Sequence, residues 1–255
     1  MPGIPWLILP TFDEAPNIEA IVSASLTALR DAAPEGFRIL IVDDDSPDGT
    51  GRIADRLAAE HEEVEVLHRA VREGLGPAYL AGFDHALNRG AGYVLEMDAD
   101  FSHDPGDIAR LLDCVRAGAD VALGSRYVPG GAVADWGLLR RLVSRGGCLY
   151  AQAVLGLSVR DLTGGFKCFR AEVLRGIDLP TVRSQGYAFQ VELTNRALRR
   201  GFRVVEVPIT FRDRLHGRSK MSPKIALEAM WLVPQLRRRW MPPVQGPAAS
   251  DRSTT

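Results

Sequence analysis

The sequence predicts an α/β protein, a single domain on a mainly parallel, twisted sheet flanked by helices. Three observations carry that prediction. Short β-type runs alternate with longer helix-type runs through the first half of the chain. The helical stretches have the length that right-handed crossovers between parallel strands require. Three of the strands are followed at once by carboxylates, at the edge where parallel sheets hold ligands.

Each element has its own signal. The apolar run Ile4–Leu9 reads as a buried strand, with a helix from about Ala15 to Asp31. Arg38–Val42 and Val64–His68 are the next strands, each followed by a helical run, over Gly51–Glu60 and from about Leu75 to Asn88. Tyr93–Met97 is a fourth strand, with a helix over Asp107–Ala117 and a strand at Val121–Gly124. The second half is less regular. Tyr127–Val133 is rich in Gly, and Asp135–Leu157 reads as an apolar helix interrupted by Arg140, Arg141 and Arg145. Val204–Phe211 reads as one late strand, and Ile225–Trp240 as an amphipathic helix. Residues 242–255, rich in Pro, Ala, Ser and Thr, are expected to be disordered. The domain is therefore set at 1–241, with acceptor- and membrane-facing elements near 127–160 and 212–241.

Composition excludes several classes. The 255 residues carry a net charge of -1, so no global field attracts nucleic acid. Three widely spaced cysteines, Cys114, Cys148 and Cys168, have neither metal-ligand nor disulfide-framework spacing and fit a reducing cytoplasm. No secretory signal and no run of about 18 apolar residues is present, so a soluble or peripheral protein is expected. A dinucleotide oxidoreductase is set aside because no Gly-x-Gly-x-x-Gly follows the first strand.

The strand ends carry the chemistry. Phe12, Asp13 and Glu14 follow the first strand, Asp43, Asp44 and Asp45 the second, and Asp98, Ala99 and Asp100 the fourth. Like charges gathered at one edge are costly unless a cation or hydrogen-bond donors offset them. Asp98 and Asp100 can both reach one hard divalent ion and the diphosphate it bridges, as Mg²⁺ and Mn²⁺ sites require. Ser102 either adds a third oxygen ligand or caps the following turn. Phe12 packs either in the core or against a ligand at this edge. Gly74-Leu75-Gly76 reads as a turn before a helix, and His103 and His216 as surface or hydrogen-bonding residues. From Arg196 to Lys224 nine basic residues stand against two acids, Glu206 and Asp213.

Taken together, Leu9-Pro10-Thr11-Phe12-Asp13-Glu14, Val42-Asp43-Asp44-Asp45-Ser46-Pro47-Asp48-Gly49-Thr50, Met97-Asp98-Ala99-Asp100-Phe101-Ser102-His103 and Gly124-Ser125-Arg126-Tyr127 resemble the inverting family 2 glycosyltransferases of GT-A fold. Asp161-Leu162-Thr163-Gly164-Gly165-Phe166, Gly186-Tyr187-Ala188-Phe189-Gln190, Glu206-Val207-Pro208-Ile209 and Gly217-Arg218-Ser219-Lys220 narrow the resemblance to the dolichyl-phosphate (polyprenyl-monophosphate) mannose synthases. It spans about residues 4–230.

That resemblance implies mannosyl transfer from GDP-mannose to a polyprenyl or dolichyl phosphate, with inversion. It assigns Pro10, Phe12, Glu14, Val42, Asp44, Asp98, Ala99, Asp100 and Arg126 to the donor nucleotide. Asp98, Asp100 and Ser102, the last standing where many members carry Gln, take the metal position, for Mg²⁺ or Mn²⁺. Arg140, Ser144, Arg214 and Lys220 fall to the acceptor phosphate, and Asp100, Arg126, Arg214 and Lys220 are the residues expected to carry catalysis. An acceptor phosphate is already anionic, so it needs positioning by cations more than a general base. Asp161 either orients the acceptor or braces its loop.

Many members carry C-terminal membrane helices that this sequence lacks. Contact with the cytoplasmic face of a membrane is therefore expected through apolar, Arg-studded helices or a membrane-embedded partner protein. The alternatives are glucosyl transfer from UDP-glucose to the same lipid and a non-catalytic nucleotide-sugar-binding subunit.

Overall fold

The computed structural model describes residues 3–213, 231 and 233–237. Its first apolar run is β1 (Pro5–Thr11), buried at every position. On one side β1 pairs with β2 (Arg38–Asp43), beyond which lies β3 (Val64–His68); on the other it pairs with β4 (Tyr93–Glu96). All these pairings are parallel. A strand covered on both faces has no solvent side, which is why β1 shows no polar alternation.

Pro10 is informative here. β4 accompanies β1 only as far as the Ile8–Glu96 pair, whereas β2 continues to Thr11–Asp43. Proline, lacking an N–H, is tolerated where a ladder ends. β1 and β4 part at this point, and it is here that the chain stops building outward through β2 and β3 and crosses to the opposite side. Such a switch in strand order opens the crevice where α/β sheets take ligands.

Helices α1 (Ile18–Ala32), α2 (Thr50–Glu60) and α4 (Ile108–Arg116) cover one face of the sheet, over Leu7, Leu9, Ile39, Ile41, Leu95 and Met97. The other face is covered by α3 (Leu75–Asn88), α6 (Ala171–Gly176) and α7 (Gly186–Arg199), over Trp6, Ile8, Leu40, Val42 and Val94. Adjacent β1 residues serve opposite layers, as the two-residue period demands. α3 lies so close that a Cβ on Gly82 would stand 2.5 Å from Ile8 Cγ2.

The second half departs from the expected pattern. Beyond β4 the sheet continues with β7 (Lys167–Arg170), then β5 (Val121–Ser125) and β8 (Val204–Pro208). β7 is antiparallel to both its neighbours. The late run read as one strand is two: β8 ends at Pro208, and β9 (Thr210–Phe211) pairs with β6 (Ala132–Val133). α5 spans Leu138–Leu155, shorter than expected because Trp136 is folded under its start. Of the expected helix at 225–240 the described residues are helical, with Val233 and Leu236 packed in a small cluster with Ala151 and Leu155. The remainder of that helix and residues 242–255 lie outside the described residues.

Candidate active site

Two of the three acidic strand ends are built differently. At the end of β2, protein donors satisfy the acids. Asp43 accepts from Ser46 Oγ at 2.6 Å and Thr11 Oγ1 at 3.2 Å. Asp44 accepts from Arg69 Nη1 at 2.5 Å and from the amides of Glu73 and Gly74 at 3.1 and 3.0 Å. Asp48 braces the next helix start, accepting from Thr50 Oγ1 and from the amides of Thr50 and Ala15. Burial opposes that charge, yet these hydrogen bonds hold its carboxyl below the usual range. Protein donors, the Arg69 guanidinium among them, therefore offset this cluster. The Gly74-Leu75-Gly76 turn has its Gly74 amide taken by Asp44, in keeping with the turn reading.

The end of β4 is the other kind. Asp98 accepts from the phenol of fully buried Tyr79 at 3.1 Å, and burial with the neighbouring carboxylates drives that phenol well above its ordinary pKa. Asp100 Oδ1 accepts from the Ser102 amide at 3.0 Å across a turn in which Phe101 adopts φ 61°. A non-glycine residue there costs of order 1–3 kcal/mol and is held only by surrounding contacts. Ser102 Oγ is buried and finds no hydrogen-bond partner. It is not a cap, because Asp104 caps the following turn through the Gly106 amide. A buried hydroxyl without a partner is uncommon, and its place beside Asp98 and Asp100 fits a divalent cation. Among the described residues no group of three His, Cys, Asp or Glu side chains could hold a metal. Mg²⁺ between a diphosphate and protein needs only one or two carboxylates.

Behind this motif lies a feature that the sequence reading missed. Lys167, one of only three lysines, is fully buried and donates to Glu96 at 2.9 Å and to Gln190 Oε1. Glu96 and Lys167 are direct cross-strand partners. Burial pushes the Lys167 pKa down and that of Glu96 up, while their mutual attraction opposes both shifts. The carboxylates of Asp161 and Asp98 also favour the lysine charge, so Lys167 offsets part of the negative charge above it.

Arg126 at the end of β5 is 5% exposed and gripped by Asp161, through Nε at 2.7 Å and Nη2 at 2.6 Å, with the Arg126 amide also bonded at 2.9 Å. Nη2 donates to Thr163 Oγ1 as well. The rings of Tyr127, Trp136 and Phe211 stand 5.2–5.7 Å from the guanidinium. Burial opposes both charges, but each stabilises the other, so Arg126 is raised above and Asp161 lowered below its ordinary value. Asp161 thus braces its loop. Gly164 lets that loop approach, since a Cβ there would stand 2.9 Å from the Gly124 carbonyl oxygen. His103 is corrected from surface to core: it lies between Phe166 and Phe211, and burial depresses its pKa to about 4, leaving it neutral.

On the acceptor side, Arg140 pairs with Asp213 at 3.0 Å and stacks on Trp136 at 4.1 Å, and Ser144 Oγ accepts from the Tyr127 phenol at 2.8 Å. The Arg212 amide donates to the Ser102 carbonyl at 3.1 Å. The dipeptide Arg212-Asp213 therefore joins the acidic motif to α5. Arg214 and Lys220 follow it but lie outside the described residues, as does His216. On the donor side, Pro10 and Val42 are register partners, Ala99 is buried beside Asp98, and Glu14 accepts from Asn17 Nδ2 at 2.8 Å. Phe12 lies at the surface of the crevice rather than in the core, under the guanidinium of Arg72.

Comparison with known proteins agrees with this architecture. The family model described as glycosyl transferase family 2 matches residues 6–177. Polyprenol monophosphomannose synthase of Mycolicibacterium smegmatis is 50% identical over 228 residues, covering 89% of this chain and 84% of its own. Undecaprenyl-phosphate mannosyltransferase of Micrococcus luteus is 48% identical over 235 residues, covering 91% and 94%. Among solved structures, glucosyl-3-phosphoglycerate synthase of Mycobacterium tuberculosis with Mn²⁺, UDP-glucose and phosphoglyceric acid superposes with a TM-score of 0.70. It is 17% identical, covering 92% of this chain and 80% of its own, which is a likeness of fold.

Proposed function

This chain belongs to glycosyl transferase family 2, and from that premise we propose that it moves mannose from GDP-mannose to the phosphate of a polyprenol, with inversion at the anomeric carbon. The relatives named as mannosyl transferases to polyprenyl phosphates support the sugar and the acceptor. The observation that carries the reading is the joining of the acidic motif to the Arg140–Ser144 face of α5 by Arg212 and Asp213. Donor diphosphate and acceptor phosphate are anions that must be brought together, and a group of carboxylates beside a group of cations is suited to that.

In this reading Asp98, Asp100 and Ser102 hold Mg²⁺ or Mn²⁺. A bound divalent ion supplies electrostatic stabilisation of the departing GDP. Pro10, Phe12, Glu14, Val42 and Asp44 form the nucleoside end. Arg126 completes the donor end, and Arg140, Ser144, Arg214 and Lys220 orient the acceptor phosphate, whose own charge makes a general base unnecessary. The test is transfer of labelled sugar from GDP-mannose and, in parallel, UDP-glucose to a short polyprenyl phosphate with each metal. Label is expected from GDP-mannose alone and is expected to vanish with chelator. Label from UDP-glucose would instead assign a glucosyl donor.

A lipid acceptor requires access to a bilayer, yet no helix among the described residues is long and apolar enough to cross one. We assign the contact to the start of α5, on the cytoplasmic side of the membrane. There Leu138, Leu139, Leu142 and Val143 are 61–75% exposed, interleaved with Arg140, Arg141 and Arg145. Apolar side chains among arginines suit the headgroup region. Leu139→Glu with Leu142→Glu is expected to reduce turnover of long-chain acceptor in anionic vesicles by about tenfold or more. Turnover of a short acceptor in detergent should stay within about twofold.

A further inference from the structure

The segment between β3 and α3 is pinned at both ends to the two acids that close β2. The Arg69 amide donates to the Asp43 carbonyl at 2.9 Å, and the Arg69 side chain donates to Asp44. Four residues on, the Glu73 and Gly74 amides donate to the same Asp44 carboxylate. Between these anchors Val71 and Arg72 stand exposed. The Arg72 guanidinium carbon sits 3.7 Å from the centre of the Phe12 ring. Among the described residues no carboxylate lies within ion-pair distance of Arg72, so this exposed cation is held over a π face.

We propose that Arg72 is a nucleobase clamp: guanine enters between Phe12 and Arg72, stacked on the ring below and covered by the guanidinium above. This deepens the GDP-mannose reading and rests on it. The stack seen here leaves no room for a third ring, so the guanidinium must lift when the base enters. Its backbone need not follow, because Asp44 fixes the segment on either side and the arginine side chain has the rotamer freedom to move. Guanidinium planes stack on aromatic faces in a way that an ammonium cannot match. A bicyclic purine offers both partners a larger face than a pyrimidine. Asp44, besides its place at the nucleoside end, then holds the clamp in register through its bonds to Arg69, Glu73 and Gly74.

The experiment measures binding of Mg²⁺-GDP by calorimetry and of guanosine by competition, for the full chain and for Arg72→Ala and Arg72→Lys. Arg72→Ala is expected to weaken both ligands by the same factor, about 3- to 30-fold, with Arg72→Lys recovering only a minor part. A loss confined to GDP, with guanosine unaffected and Lys fully restoring affinity, would overturn the clamp in favour of a diphosphate contact. Unchanged affinities for both would overturn it as well. If the unsubstituted protein binds UDP and not GDP, the donor reading fails; if it binds GDP and Arg72→Ala does not matter, only the clamp fails.

Discussion

Asp100→Ala is expected to reduce mannosyl transfer by about 10³-fold, the scale set by removing a group that stabilises charge developing on a leaving group. Two roles converge on this carboxylate. One oxygen accepts from the Ser102 amide and so holds the strained turn at Phe101. In the proposed site the side chain also faces the cation. Asp100→Asn separates the two, because an amide oxygen still accepts the backbone bond but brings no charge. Its circular dichroism and melting temperature should match the unsubstituted protein while transfer stays low. Raising Mn²⁺ should recover part of the Asn variant's activity and little of the Ala variant's. Activity within tenfold of normal for the Asn variant would remove Asp100 from the metal position.

The second large effect concerns stability. Asp161→Asn leaves the Arg126 guanidinium buried at 5% exposure without its counter-charge. Breaking a buried ion pair by removing one partner costs about 3–5 kcal/mol, a large share of the roughly 5–15 kcal/mol that keeps a domain folded. The melting temperature should fall by on the order of 10 °C. The pH dependence has a definite sign. Folding lowers the Asp161 pKa, so its contribution is complete above the ordinary carboxylate range and is lost as pH falls through the folded value. The difference in stability between the two proteins should therefore be greatest near neutrality and close toward acid, where the protonated Asp161 no longer pairs with Arg126. A gap independent of pH would mean that packing rather than charge makes Asp161 necessary. Arg126→Lys is not a mild change either, since an ammonium cannot make the bidentate contact.

The first half of the fold was legible because each strand there is an apolar run followed by a helix of ordinary length. The second half was not, for specific reasons. β7 is four residues bounded by Lys167 and Arg170, and a lysine reads as solvent-facing until Glu96 is seen opposite it. In α7 every residue from Ala188 to Ala197 is buried, including Gln190, Glu192, Thr194, Asn195 and Arg196. A helix covered on all sides has no polar face, so the 3.6-residue signal is lost. Arg196 and Glu192 are accommodated because they pair one turn apart. β8 and β9 appeared as one strand because nothing in Val207-Pro208-Ile209-Thr210 reveals that the chain changes partners from β5 to β6.

At the site the division follows the same logic. The sequence alone determined which residue types stand at the carboxyl ends of β1, β2 and β4, because strand–helix order and local spacing are written along the chain. It likewise carried the Asp98-Ala99-Asp100 motif and the family it belongs to. Only the tertiary structure decided what each acid faces. Asp44 is satisfied by donors from residues 69–74 and Asp43 by Thr11 of β1 together with nearby Ser46, whereas the Asp98–Ser102 turn keeps a buried hydroxyl without a partner. The charge of a carboxylate belongs to the residue, but whether a cation is needed to offset it depends on donors brought from 25 to 71 positions away, and no local pattern encodes their arrival.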